Sequence, residues 1–156
     1  MAKAKIFLGT DHAGFLLKEE IKKYLKGLNY EVKDQGAYSF DAEDDYPKFI
    51  FKAAEKVASN KGSKGIIFGG SGQGEAIAAN KINGIRAAVF YGNNFDIIKL
   101  SRKHNDSNIL SLGARIVSIE VALKAVKLWL DTDFTSEERH KRRLNQIENL
   151  EKKMCR

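Results

Sequence analysis

The sequence is poor in the residues that staple or interrupt small folds: 156 residues contain one cysteine, one proline and one tryptophan. The single thiol, Cys155, stands next to the C-terminus, which excludes an internal disulfide and a cysteine-built metal site within one chain. No stretch is apolar for long enough to span a bilayer. The opening residues MAKAKIFLGT lack an apolar core followed by a small-residue cleavage site, so the expected location is the cytoplasm. There is no Gly/Ser linker, internal repeat or break in composition, and one domain over residues 1–156 is expected. A chain of this length can bury a full core unaided.

What is present is an ordinary globular balance, 43% hydrophobic and 30% charged residues, with an excess of positive charge. Twenty-seven Lys and Arg stand against 20 Asp and Glu, a net +7. A field of that sign attracts anions, but its size does not say whether these are nucleic acids, membranes or small phosphates.

Short runs rich in Ile, Val and Phe alternate with longer amphipathic stretches, which is the α/β pattern. The runs are Lys5 to Gly9, Tyr30 to Lys33, Gly65 to Gly69, Ile85 to Tyr91 and Asn108 to Leu112. They show little strict alternation, as expected for parallel strands covered by helices on both faces. Helices are predicted over Phe15 to Leu28, Tyr46 to Ser59, Gly74 to Ile82, Asn94 to Lys103 and Ser118 to Leu130, with Pro47 tolerated at a helix start. In the first, Phe15, Leu16, Ile21, Tyr24, Leu25 and Leu28 read as the buried stripe, and Lys18, Glu19, Glu20, Lys22, Lys23 and Lys26 as a solvated face. A sixth helix within Ser136 to Met154 has Leu144, Ile147, Leu150 and Met154 at helical spacing, Ser136 as its expected N-cap and acids in its first turn. The fold class is thus a three-layer α/β/α, Rossmann-like sandwich with a five-stranded parallel sheet and a C-terminal helix.

Ligands of open parallel sheets bind outside the carboxyl ends of the strands. There the sequence is polar: Asp11 and His12 follow the first run, Gly70, Ser71, Gly72, Gln73, Gly74 and Glu75 the third, and Arg115 the fifth. His104 and Asn105 lie just before the fifth run and are expected near the same edge. His12 neighbours Asp11, and His104 neighbours Asp106. The glycine cluster can bring backbone N–H groups close to an anionic oxygen, or it can be only a tight turn. It fits neither the GxGxxG dinucleotide fingerprint nor a P-loop, since Glu75 and Ala76 follow Gly74. Glu75 is either a carboxylate favoured by the helix dipole or one suited to moving a proton on and off carbon. Neither HExxH nor a Cys/His spacing is present, so no metal is expected. Arg139 and Arg143 share a helical face suited to a phosphate, with His140 and Arg142 one step to either side. A solvated basic face is the alternative.

The stretches GTDHAGFLLK (Gly9 to Lys18), FGGSGQGEAIAANKINGIRAA (Phe68 to Ala88), RKHNDSNILSLGARIV (Arg102 to Val117) and ERHKRR (Glu138 to Arg143) resemble the type B ribose-5-phosphate isomerases. Galactose-6-phosphate and allose-6-phosphate isomerases belong to the same family. The resemblance implies a metal- and cofactor-independent enzyme of the pentose phosphate pathway, a homodimer or possibly a tetramer with shared sites, interconverting an aldose phosphate and its ketose. By position it implies ring opening by His104 with Asp11 or Ser71, and substrate contacts from Asp11, His12, Gly70, Ser71, Gly72, Gln73, Gly74 and Asn105. It assigns the phosphate to Arg115, Arg139 and Arg143. Many members carry a cysteine base at the position of Gly69; another branch uses a glutamate at the position of Glu75, which is therefore the expected base. A hexose-phosphate isomerase and a non-catalytic sugar-phosphate sensor are the nearer alternatives. A nucleic-acid-binding protein is the remoter one: the pI near 9.4 suggests it, but lysines scattered over helix exteriors and the lack of a DNA or RNA motif do not.

Overall fold

The computed structural model describes residues 3–90 and 92–154. Cys155, and Tyr91 at the end of the expected fourth run, lie outside the described residues. In chain order the elements are β1 (Ile6–Thr10), a 3₁₀ turn (His12–Gly14), α1 (Phe15–Gly27), β2 (Val32–Asp34), α2 (Tyr46–Ser59) and β3 (Lys64–Gly69). The second half contains α3 (Gln73–Ala79), β4 (Ala87–Phe90), α4 (Phe95–Lys103), β5 (Ile109–Gly113), α5 (Ile119–Leu130) and α6 (Glu138–Met154). The strands form one sheet in the order β2-β1-β3-β5-β4, with every neighbouring pair parallel.

Successive side chains of a strand point to opposite faces, and here both faces are buried. Ile6, Leu8, Ile66, Phe68, Leu110 and Leu112 meet α1, α4 and α5 around Ile21, Ile98 and Trp129. Phe7, Ile67 and Ile109 meet α2 and α3 around Ile50, Ala53 and Ala79. This is the expected three-layer sandwich. Asn94 and Ser118 cap α4 and α5 through their side-chain oxygens.

Several local expectations are corrected. Leu16 is 76% exposed and Leu17 takes its place in the core. Lys18, read as solvated, is fully buried; its ammonium donates to both oxygens of Asp34 at 2.8 Å and to the Ala37 carbonyl at 2.6 Å. A charge in the interior persists only when paired in this way, and the pairing ties α1 to the end of β2 and the loop beyond it. The third helix ends at Ala79 and the fourth strand begins at Ala87, because Ile82–Ile85 forms a turn that seats Ile85 in the core. Ser136 does not cap α6: it adopts φ 57°, and the Glu137 carbonyl accepts from the N–H groups of His140 and Lys141. On α6, Ile147, Leu150 and Met154 are exposed.

Candidate active site

Chain direction switches between β1 and β3, from β1 outward to β2 on one side and from β3 toward β5 on the other, so a crevice opens at their carboxyl ends. The Thr10 hydroxyl at the end of β1 lies 3.1 Å from the Phe68 carbonyl of β3 and pins the two strand ends together. Gly14 is required there, since a Cβ on it would lie 2.4 Å from both Phe68 Cβ and Thr10 Oγ1.

The loop after β3 turns through Gly72, whose φ of 79° is a backbone conformation that suits glycine. The buried Ser111 hydroxyl donates to the Gly72 carbonyl at 2.6 Å, and the N–H groups of Ala114 and Arg115 donate to the Gly69 and Gly70 carbonyls at 2.8 and 3.0 Å. The loops after β3 and β5 are thereby zipped together. The consequence is that Arg115 lies over Gly70, with Nη1 3.3 Å from the position of a Cβ there. On the other side Tyr46 packs against Gly74, its hydroxyl 2.8 Å from where a Cβ would be.

Glu75 sits in the first turn of α3 and is only 4% exposed. Burial raises its pKa above 4.5 and the nearby Asp11 charge adds to the effect, while the backbone N–H groups of Glu75 itself and Gly72 oppose it. A partly desolvated carboxylate of raised basicity at a ligand-binding edge has the character of a general base.

Asp11 and His12 reach the same crevice, each with its own partner. Asp11 caps the 3₁₀ turn, accepting from Ala13 N–H at 3.0 Å. His12 binds Asp44, whose Oδ1 lies 2.7 Å from the ring Nδ1 and accepts from the His12 N–H at 2.9 Å. This contact raises the His12 pKa above 6.5, burial works against it, and Asp11 reinforces it. Asp44 escaped the sequence reading. The available signal was the segment from Gln35 to Asp45, a long polar connection leaving the carboxyl end of β2. Among the described residues, Asp11, His12 and Asp44 are the group whose potential metal-ligating atoms come within 4.8 Å of one another. Asp44 Oδ1, His12 Nδ1 and Asp11 Oδ1 are already engaged with protein groups, whereas the buried Asp44 Oδ2 has no hydrogen-bond partner among the described residues.

The remaining candidates lie elsewhere. Helix α4 leaves the carboxyl end of β4 and runs back to the start of β5, so His104 and Asn105 stand at the amino-terminal edge of the sheet, not beside Glu75. The length of β5, about 16 Å, separates the two edges. Asp106 is not the partner of His104 either; it bridges Arg86 Nη2 at 3.0 Å and Arg102 Nη1 at 2.8 Å. The connection into α6 docks on the end of α4, with Thr135 N–H and hydroxyl both donating to the Lys103 carbonyl, at 3.2 and 2.8 Å. That docking brings His140 against His104: the rings stack with centroids 4.3 Å apart and planes 16° from parallel. Arg139 and Arg143 are exposed on the same helix, Arg139 donating to Glu137 at 2.9 Å. His140 sits on the apolar side of α6, in register with Leu144 and Ile147, and that spacing was the signal for its burial.

The chain therefore presents two clusters. Asp11, His12, Ser71, Glu75 and Arg115 lie at one edge of the sheet, and His104, Asn105, Arg139 and Arg143 at the other.

This is a doubly wound parallel α/β domain with a polar, carboxylate-bearing crevice at its topological switch point. The chain belongs to the ribose/galactose isomerase family, which matches residues 6–147. It is 40% identical over 152 residues to ribose-5-phosphate isomerase B of Escherichia coli, covering 96% of this chain and 97% of that one. It is 38% identical to the protein of the same name from Mycobacterium tuberculosis strain H37Rv, covering 97% and 93%. Among solved structures, ribose-5-phosphate isomerase B of Clostridium thermocellum is 45% identical with a TM-score of 0.90, covering 96% of this chain and 99% of that one. The Mycoplasma genitalium enzyme, solved with bound ribulose-5-phosphate, is 37% identical with a TM-score of 0.92, covering 97% and 99%.

Proposed function

We propose that the protein is an aldose–ketose isomerase that interconverts ribose 5-phosphate and ribulose 5-phosphate in the non-oxidative pentose phosphate pathway of the cytoplasm. The observation that carries this reading is the buried Glu75 carboxylate, raised in pKa, beside Asp11 and the glycine loop in a member of this family. Near-full-length relatives bear the name ribose-5-phosphate isomerase B, and one was solved with ribulose-5-phosphate.

The furanose opens first. His104, with Asp11 or Ser71, moves a proton from the C1 hydroxyl to the ring oxygen as the C1–O4 bond breaks. Glu75 takes the C2 proton, the electron pair forming a cis-enediolate; a proton passes from O2 to O1, and Glu75 returns its proton to C1 to leave the ketose. Negative charge grows on the enediolate oxygens, and N–H donors of the loop from Gly70 to Gly74 meet it; preorganised donors of this kind are worth about 3 kcal/mol each. His12, Asn105, Arg115, Arg139 and Arg143 hold the substrate and its phosphate and convert that binding into positioning.

A reaction using Glu75 and His104 together requires two copies of the chain, because one copy carries them at opposite edges of its sheet. We assign the active form to a homodimer whose crevices each join the Glu75 edge of one subunit to the His104 edge of its partner. The uncovered apolar surface supports this. Edge strand β4 is open, a groove of about 550 Å³ runs between Ile77 of α3 and Val89 of β4, and Ile97, Leu100 and Ile147 are exposed.

The test is an isomerisation assay on ribose 5-phosphate, allose 6-phosphate and galactose 6-phosphate. A kcat/KM highest for the pentose is expected. Preference for a hexose phosphate would reassign the substrate, and binding without turnover would make the protein a sensor.

A further inference from the structure

His140 has no place in the chemistry above, yet it is among the most buried polar residues, 3% exposed, and its Nε2 is a buried atom with no hydrogen-bond partner among the described residues. A polar ring in the interior without a hydrogen bond carries a desolvation cost, so its retention calls for a compensating role. Among the described residues its close ring contact is His104, stacked at 4.3 Å. The other groups that face it are Glu137, whose Oε2 lies 3.7 Å from Nε2, and the guanidinium groups of Arg139 and Arg143. Burial, then His104 and those arginines, hold the His140 pKa below 6.5 against the opposing pull of Glu137, so the ring is neutral at neutral pH. A neutral ring can lie face to face with an imidazole that gains and loses a proton; a second imidazolium there would repel it.

His104 needs such a support. It is the C-cap of α4, where the helix has ended, and no hydrogen bond to its ring is seen among the described residues. A proton shuttle must present its nitrogens within hydrogen-bond reach of two substrate oxygens, and misplacement by about 1 Å can cost about 100-fold in rate. We propose that His140 is a positioning residue for ring opening: its buried imidazole, locked on α6, is the platform that sets the plane of the His104 ring. The proposal rests on the assignment of ring opening to His104.

Ribulose 5-phosphate separates the two steps. With O5 esterified it cannot close a furanose, so exchange of its C1 proton with D₂O needs the base and the enediolate but no ring opening. In His140→Ala, conversion of ribose 5-phosphate is expected to fall about tenfold or more, while C1 exchange from ribulose 5-phosphate stays within about threefold of the parent protein. His140→Phe keeps an aromatic face, gives up both ring nitrogens, of which the buried Nε2 has no partner among the described residues, and is expected to restore most of the conversion. Unchanged conversion in His140→Ala overturns the proposal, and so does a parallel loss of conversion and exchange that phenylalanine does not rescue. His104→Asn is measured alongside. If it loses conversion and keeps exchange while His140→Ala is unaffected, only the role of His140 falls. If it converts ribose 5-phosphate normally, the assignment of His104 falls and the role of His140 with it.

Discussion

The carboxylate of Glu75 fills the space into which a side chain at position 69 would project: a Cβ on Gly69 would lie 1.9 Å from Glu75 Oε1 and 2.0 Å from its carboxyl carbon. The bare backbone of residue 69 and the glutamate at 75 are therefore one structural unit. Gly69→Ala is expected to displace the carboxylate and lower kcat at least tenfold with little change in KM, since no phosphate contact moves. Gly69→Cys combined with Glu75→Ala places a thiol in the vacated space and is expected to recover C1 exchange over Glu75→Ala alone. Deuterium incorporation followed by NMR measures both, and full activity in Gly69→Ala would break the link between the two positions.

The raised pKa of Glu75 has a kinetic and a thermodynamic consequence. If Glu75 is the base it works as a carboxylate, so kcat/KM should fall as pH drops through a midpoint above 4.5. In the folded protein the group binds its proton more tightly than in the unfolded chain. Its contribution to stability is then fully present below the unfolded pKa and is lost as pH rises through the folded value. Glu75→Gln removes that buried charge and should raise the denaturation midpoint at neutral pH while abolishing C1 exchange and sparing phosphate-ligand affinity. A midpoint that falls instead would show that the charged form is the stabilised one.

His12 is expected to remain cationic to higher pH than a free imidazole because Asp44 accepts from it. Its charge is present below the raised pKa and disappears as pH rises through it. Asp44→Asn should lower the His12 pKa, measurable by NMR titration of the ring, and raise KM several-fold at neutral pH with kcat nearly unchanged. An unshifted titration would remove Asp44 from the site.

If each crevice joins two subunits, two inactive variants should complement each other. Glu75→Gln and His104→Asn are each expected to fail to convert ribose 5-phosphate as homodimers, but a mixed dimer would hold one crevice with both residues intact. Random reassortment of equal amounts should restore about a quarter of the parental activity. No recovery after verified subunit exchange would place both residues in the crevice of a single chain.

The fold was legible because buried parallel strands announce themselves as short Ile, Val and Phe runs, and caps such as Asn94 and Ser118 mark helix starts locally. Strand order was not, because it depends on contacts between residues distant in sequence. The same limit governed the exceptions. Lys18 is drawn inward by Asp34, sixteen residues away, and Asp44 finds His12 across thirty-two. Nearness of His104 to a strand in sequence does not mean nearness to its carboxyl end; a residue that precedes a parallel strand enters from the opposite side. The glycine loop, Glu75, Asp11, His12 and Arg115 were legible since each directly follows a strand. The partner of each histidine was not, since Asp44 and His140 arrive from other segments.

The bare position 69 also decides what can poison this protein. A thiolate in that crevice would be open to peroxide, which carries cysteine through sulfenic to sulfinic acid, and to alkylating agents. A carboxylate has no such oxidation ladder and is inert to peroxide. With the sequence's single sulfhydryl at Cys155 and a glycine at position 69, an isomerase whose proton acceptor is Glu75 would keep it through oxidative conditions that would silence a cysteine-dependent one.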